Sequence, residues 1–133
     1  MTKENLRLLD ANLNRLREGI RVVEDIYRYI FNDKVISSKL KNLRHNSRID
    51  IYDNLLNSRD IQNDVLKNST KSEQNRKDLQ SILIANFKRA QESSRVLEEF
   101  TKLIDTEISE NFKSIRYDLY DLEKSILTHK GVK

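Results

Sequence analysis

Leu6, Leu9, Leu13, Leu16, Ile20, Val23, Tyr27 and Ile30 follow one another in steps of three and four. Such a stripe occupies one face of a helix, here running over roughly residues 4–31. Asn32-Asp33-Lys34 interrupts it. A second stripe follows through Val35, Ile36, Leu40, Leu43, Ile49, Ile51, Tyr52, Leu55 and Leu56, so the first two helices form an antiparallel hairpin. Between residues 57 and 78 only Ile61, Val65 and Leu66 are apolar, and the spacing predicts a long loop. Structureless connections of that length are more often functional than idle. Helical spacing returns with Leu79, Ile82, Leu83, Phe87, Ala90, Leu97, Phe100 and Ile104. It continues in a last helix through Ile108, Phe112, Ile115, Leu119, Leu122 and Ile126. The expectation is an all-α, single-domain four-helix bundle over 1–133, with a first hairpin (1–56), a loop or lid (57–78) and a second hairpin (79–128).

Composition sharpens this picture. The 133 residues contain no proline and two glycines, where average usage would give about 7 and about 9. A chain so poor in turn formers is nearly all helix. With Gly19 and Gly131 standing alone, no P-loop, dinucleotide-binding fingerprint, kinase glycine-rich loop or nucleophile elbow can be built. The absence of cysteine removes disulfides, thiolate metal sites and cysteine nucleophiles. A net charge of +4 arises from 25 basic and 21 acidic side chains scattered together, which argues against nucleic acid as a partner. No apolar run reaches the roughly 18 residues of a membrane span, and the charged start is no signal peptide. A cytoplasmic protein without membrane contact is expected.

The second half repeats the first. ANLNRLREGIRVVEDI (11–26) aligns without gaps to ANFKRAQESSRVLEEF (85–100), with seven identities in sixteen positions at an offset of 74. Chance would give about one, so this is an internal duplication of the form A-N-x-x-R-x-x-E-x-x-R-V-x-E. The partner helices echo it more weakly, Leu40-Lys41-Asn42-Leu43-Arg44 resembling Phe112-Lys113-Ser114-Ile115-Arg116. Ala11, Arg15, Glu18 and Val22 fall on one line, roughly opposite Leu13 and Ile20 on the helix. That second face is either a solvated ladder of Arg15–Glu18 and Glu18–Arg21 pairs or a surface occupied by a ligand or a second subunit. Recurrence of the same Ala, Asn and Val in both copies favours occupation. The repeat nominates Asn12, Arg15 and Glu18 with their counterparts Asn86, Arg89 and Glu92. A homodimer is expected because Ala11, Val22, Ile26, Val96 and Phe100 form apolar positions that one core cannot also bury. At Ala90, Ser94 and Ser93 (opposite Gly19) the third helix thins, leaving either a close helix contact or room for a small molecule.

Other polar residues suggest phosphate chemistry. Arg44-His45 lies beside core positions Leu40 and Leu43, as a structural pair or a phosphate or base contact. In the loop, Arg59-Asp60, Asp64 and Glu73-x-x-Arg76 are either merely solvated or supply guanidinium clamps and carboxylates for Mg²⁺. A di-iron carboxylate bundle is excluded, since neither His45 nor His129 has a glutamate three positions before it.

The run LDANLNRLREGIRVVEDI, then LKNLRH, then SRDIQNDV with S-E-x-x-R after it, then ANFKRAQESSRVLEEF, resembles a family of small helical hydroxymethylpyrimidine phosphate kinases. In that family the domain also occurs fused to thiamine phosphate synthase. The resemblance spans Leu6 to about Leu122. It implies transfer of phosphate from ATP, with Mg²⁺, to hydroxymethylpyrimidine phosphate. On that reading Arg59, Asp60, Asp64 and His45 are catalytic, with Asp60 and Asp64 holding the metal. Asn12, Arg15, Glu18, Arg44, Arg76, Asn86, Arg89 and Glu92 bind the phosphorylated pyrimidine and the nucleotide, and the loop closes over them as a lid. Arg59 and Arg89 are expected to serve the ligand and not stability. The sequence departs from the family pattern at Leu66, where a glycine is expected, and at Lys88-Arg89 set against Asn14-Arg15. The competing expectation is a non-catalytic helical binding or dimerisation module associated with thiamine phosphate synthase.

Overall fold

The computed structural model describes residues 1–128, and all its regular structure there is helical, without a strand. His129 and Gly131, noted above, lie outside the described residues. The first stripe folds as α1 (Lys3–Asp25), prolonged by a wider π-helical turn over Ile26–Ile30. Thr2 caps its start, accepting from the Asn5 backbone N–H at 3.1 Å. Asn32 turns the chain with φ 53°, a left-handed conformation that asparagine tolerates. Asp33 then caps α2 (Lys34–Asn46) by accepting from the Ile36 N–H.

Here the structure departs from the periodicity. The second stripe is two helices, not one: α2 stops at Asn46 and α3 spans Tyr52–Ser58. Ser47, fully buried, leaves helical geometry with ψ 73° and donates its hydroxyl to the Leu43 carbonyl at 2.7 Å. That bond satisfies one orphan acceptor of the last turn. The bend still delivers Ile49 and Leu55 to the core, which is why the apolar spacing looked continuous.

The central connection is shorter than expected and carries its own short helix, α4 (Lys71–Gln74), closed by a Thr70–Glu73 capping box. Its beginning is fastened to α1: Arg59 binds Asp10, and Arg7 donates to the Asp60 carbonyl at 2.8 Å. Asp78 and Ser81 form the capping box that starts α5 (Leu79–Phe100). After a single 3₁₀ turn at Thr101–Leu103, α6 (Thr106–Thr128) returns along it.

α1 and α5, the two repeated helices, pack along each other as the main contact of the molecule; α2 and α3 cover α1, and α6 covers α5. Leu9, Leu16, Ile20, Leu83, Phe87, Leu97 and Phe112 are almost wholly buried in the shared core. Gly19 sits at the crossing. A Cβ there would lie 3.1 Å from the Asn86 carbonyl oxygen and 3.3 Å from the Ala90 Cβ, a tight fit in which the neighbours would have to give by a few tenths of an ångström.

Each repeat also buries one glutamate against an arginine of its neighbouring helix. Glu24 accepts from Arg44 Nε at 2.7 Å and Nη2 at 3.2 Å, and Glu98 accepts from Arg116 Nη2 at 2.8 Å and Nε at 3.3 Å. The two glutamates stand 74 positions apart, at the last position of the repeated motif. Their bonds hold Arg44 and Arg116 above the usual arginine range.

Two outcomes follow for stability. Glu24→Ala strands a guanidinium and should cost about 3 kcal/mol or more in urea unfolding, whereas joint replacement of Glu24 and Arg44 by Leu and Met should recover most of the loss. Gly19→Val forces α1 and α5 apart and should cost roughly 1–3 kcal/mol despite the better helix former.

Candidate functional site

The groove between α1 and α5 is where the repeated motif converges. Asn12 and Asn86 behave alike, each donating Nδ2 to the carbonyl four residues earlier, Leu8 at 2.9 Å and Ile82 at 2.8 Å. Gly19 meets Asn86, while Asn12 shares a groove with Ser93 and Val96. Descending α1 thus means ascending α5, an antiparallel pairing that sets the two motif copies face to face. The groove has a volume of about 290 Å³ and is lined by Asn12, Arg15, Arg89, Glu92, Ser93 and Val96.

Its charges stand out by what they lack. Among the described residues Arg15, Arg89, Glu18 and Glu92 form no ion pair. The surface ladder considered from spacing is therefore not built. Arg21 turns to Asp25 at 3.2 Å, and Arg95 turns to Glu98 and Glu99 at 3.1 and 2.9 Å. Lys102 and Arg95 together hold Glu99 below the usual carboxylate range, the Lys102 hydrogen bond contributing most. Arg15 and Arg89 line the groove together with Glu92, and none of the three is in an ion pair among the described residues.

The remaining nominated residues are elsewhere. Asp10 and Glu24 project about 140° and 180° around α1 from Arg15, and they take Arg59 and Arg44 with them to the far side of the helix. Arg59 donates Nε and Nη2 to the two Asp10 oxygens at 2.8 and 2.9 Å. Those bonds raise it above the ordinary arginine range. The structure does not bring it beside Arg15 and Arg89: it joins the start of the connection to α1 through Asp10. Arg44 is likewise placed apart from the groove, bonded to Glu24.

Asp60 accepts from the Asn63 Nδ2 at 2.7 Å and backbone N–H at 3.2 Å, and these bonds pull it below the usual carboxylate range. Asp64 accepts from the Leu66 N–H at 2.9 Å. Both carboxylates thus organise the loop's own turns. No group of three or more His, Cys, Asp or Glu able to hold a metal occurs among the described residues. Leu66 needs no glycine, because Asn32 is the non-glycine residue with positive φ among those described. Arg76 donates to the Asn75 carbonyl within the exposed connection. His45 lines a different depression, of about 460 Å³, with Asn46, Arg48, Asp50 and Asn111.

Of the apolar face expected at a dimer interface, Ile26 is buried in the chain's own core and Phe100 packs against it. Val96 belongs to the groove, leaving Ala11 and Val22 exposed. Ser93 was not nominated as a ligand residue. Its only signal was its place opposite Gly19 in the repeat.

Comparison with known proteins places this geometry in a family setting. The ThiD2 family matches residues 7–125. Among curated relatives, the thiamine-phosphate synthase of Thermosynechococcus vestitus is 41% identical over 121 residues, covering 90% of this chain and 34% of the relative. That of Rhodopirellula baltica is 41% identical over 120 residues, covering 86% and 32%. That of Synechocystis sp. is 39% identical over 127 residues, covering 95% and 37%. The chain spans about a third of the length of these curated relatives. No solved structure matches.

These findings overturn the kinase expectation. The relatives are thiamine-phosphate synthases, not hydroxymethylpyrimidine phosphate kinases, at identities of 41% to 35%. The link to thiamine synthesis holds, and the alternative of a module associated with thiamine-phosphate synthase fits. No helix among the described residues is long and apolar enough to cross a membrane.

The ion-pair geometry gives a direct check on Arg59. Lysine cannot reproduce two parallel bonds to Asp10, so Arg59→Lys should lower the thermal midpoint measured by circular dichroism. Arg89→Lys, altering a residue that makes no ion pair among the described residues, should leave the midpoint nearly unchanged.

Proposed function

Given that the chain belongs to the ThiD2 family, we propose that it is a non-catalytic helical binding module that works with thiamine-phosphate synthase, holding the phosphate of a small phosphorylated pyrimidine between Arg15 and Arg89. The observation that carries this reading is the pair of guanidiniums, without ion pairs among the described residues, brought to one groove by the internal repeat. Two guanidiniums and the single carboxylate of Glu92 line the groove, an excess of positive charge that an anion between the arginines neutralises. Guanidinium donors match phosphate oxygens in charge and in planar, two-pronged geometry. The relatives' name supports the choice of ligand class, since a thiamine-phosphate synthase handles phosphorylated compounds. ATP and Mg²⁺ belonged to the phosphotransferase expectation and have no part in this one.

The same reading takes the architecture as a four-helix bundle of two duplicated hairpins, α1–α2 and α5–α6. Its support is the matched pairs: Glu24–Arg44 with Glu98–Arg116, and Asn12–Leu8 with Asn86–Ile82. Duplication accounts for a groove with an arginine from each half.

Isothermal titration of the protein with hydroxymethylpyrimidine phosphate tests the proposal. Loss of one charge-assisted hydrogen bond costs about 1.5–3 kcal/mol, so Arg15→Gln and Arg89→Gln should each weaken binding at least about tenfold. Added salt should weaken the wild-type complex as well. Arg59→Gln, on the far side of α1, should leave affinity unaltered. Equal affinity in the wild type and both groove variants would remove the phosphate from this site.

A further inference from the structure

The internal repeat generates two related half-grooves around Arg15 and Arg89. One presents Asn12, Glu92, Ser93 and Val96; its counterpart would present Asn86, Glu18, Gly19 and Val22. They differ at the floor. On the Gly19 side the backbones close up, with the Asn86 carbonyl oxygen 3.1 Å from where a Cβ would stand. On the other side Ser93 keeps its side chain, and the groove described above opens there.

Ser93 is unusual among the buried serines. Ser47, Ser58, Ser94 and Ser109 each donate to a backbone carbonyl, of Leu43, Leu55, Gln91 and Glu98, at 2.6 to 2.9 Å. Ser93 is only 4% exposed as a residue and lines the groove, and unlike those four it donates to no backbone carbonyl among the described residues. It is a polar group set in the groove floor with its donor uncommitted. It is not sealed away as the Tyr27 hydroxyl is; it opens on the groove, and a hydroxyl that the neighbouring backbone does not take up can serve a ligand there.

We propose that Ser93 is the third donor of the anion site, its hydroxyl joining Arg15 and Arg89 on one terminal phosphate, so that the chain binds one phosphomonoester on the Ser93 side of the internal twofold and none on the Gly19 side. This inference rests on the anion-binding reading and deepens it. The two ends of the groove, alike in their arginines and asparagines, are made unequal by a single hydroxyl. A phosphate presents three terminal oxygens, and three donors from two helices can engage them together.

Calorimetric titration with inorganic phosphate and with hydroxymethylpyrimidine phosphate distinguishes the outcomes. The wild type should bind one equivalent per chain, and Ser93→Ala and Ser93→Gly should each weaken binding about tenfold. Ser93→Thr, which keeps the hydroxyl, should recover part of the loss, and Ser94→Ala, whose hydroxyl already serves Gln91, should change nothing. Circular dichroism melts establish that each variant is folded, and alanine at a helix-interior position favours the helix. If Ser93→Ala and Ser93→Gly bind as the wild type does while Arg89→Gln fails to bind, the role of Ser93 is overturned and the anion site stands. Two equivalents per chain would overturn the asymmetry. If the wild type binds neither compound, the anion-binding reading itself falls and this inference with it.

Discussion

The contact between α1 and α5 at Gly19 is the constraint on which the rest of the molecule is arranged. With the Asn86 carbonyl and Ala90 set against a residue that has no side chain, the two repeated helices approach closely enough that a Cβ there would push its neighbours back by a few tenths of an ångström. That approach lets one layer of Leu, Ile and Phe from both helices fill a single core. It also fixes what lies at the rim of the contact: two copies of one motif, antiparallel, with an arginine from each beside the same groove. Dispersion and burial supply the force. Glycine supplies the geometry.

Arginine is used here in two ways, and the difference is one of partners. Arg44, Arg59 and Arg116 each meet a carboxylate with two donors, on Glu24, Asp10 and Glu98, carboxylates that are nearly buried. These pairs fasten α2, the central connection and α6 to the long helices. A buried carboxylate left alone is costly, so each pair selects one arrangement of its elements more than it adds stability. Arg15 and Arg89 make no such pair among the described residues, although Glu92 lines the same groove. Arg44 and Arg59, expected in one clamp with Arg15, lie on the other side of α1 and are bonded to carboxylates there. Much of the family-like block is the framework of the fold, and the resemblance it carries speaks first for ancestry.

The central connection shows how a polar segment can be ordered without a core of its own. Asp60, Asp64, Thr70 and Asp78 each accept from backbone N–H groups two or three positions on, and Arg7 and Asp10 hold its start. Its carboxylates act as local caps, which is what Asp and Thr do best where the chain is not helical. Ile61, Val65 and Leu66 remain exposed along it.

By itself the sequence determined the helical class, the long first and third helices, the break at Asn32-Asp33 and the duplication, because helical periodicity and glycine and proline usage are local and repeat along the chain. It also pointed to Asn12, Arg15, Asn86 and Arg89 through the repeat. Only the tertiary structure decided that Ser47 splits the second helix, since a bend that keeps Ile49 and Leu55 inward leaves the apolar spacing intact. Only the tertiary structure separated the paired arginines from those in the groove, because Asp10 and Arg59 are 49 residues apart and no periodicity relates them. The choice between close packing and open space at Gly19 and Ser93 was likewise undetermined by residue type. Both occur, one at each end of the same helix crossing: a tight backbone contact at Gly19 and a groove lined by Ser93.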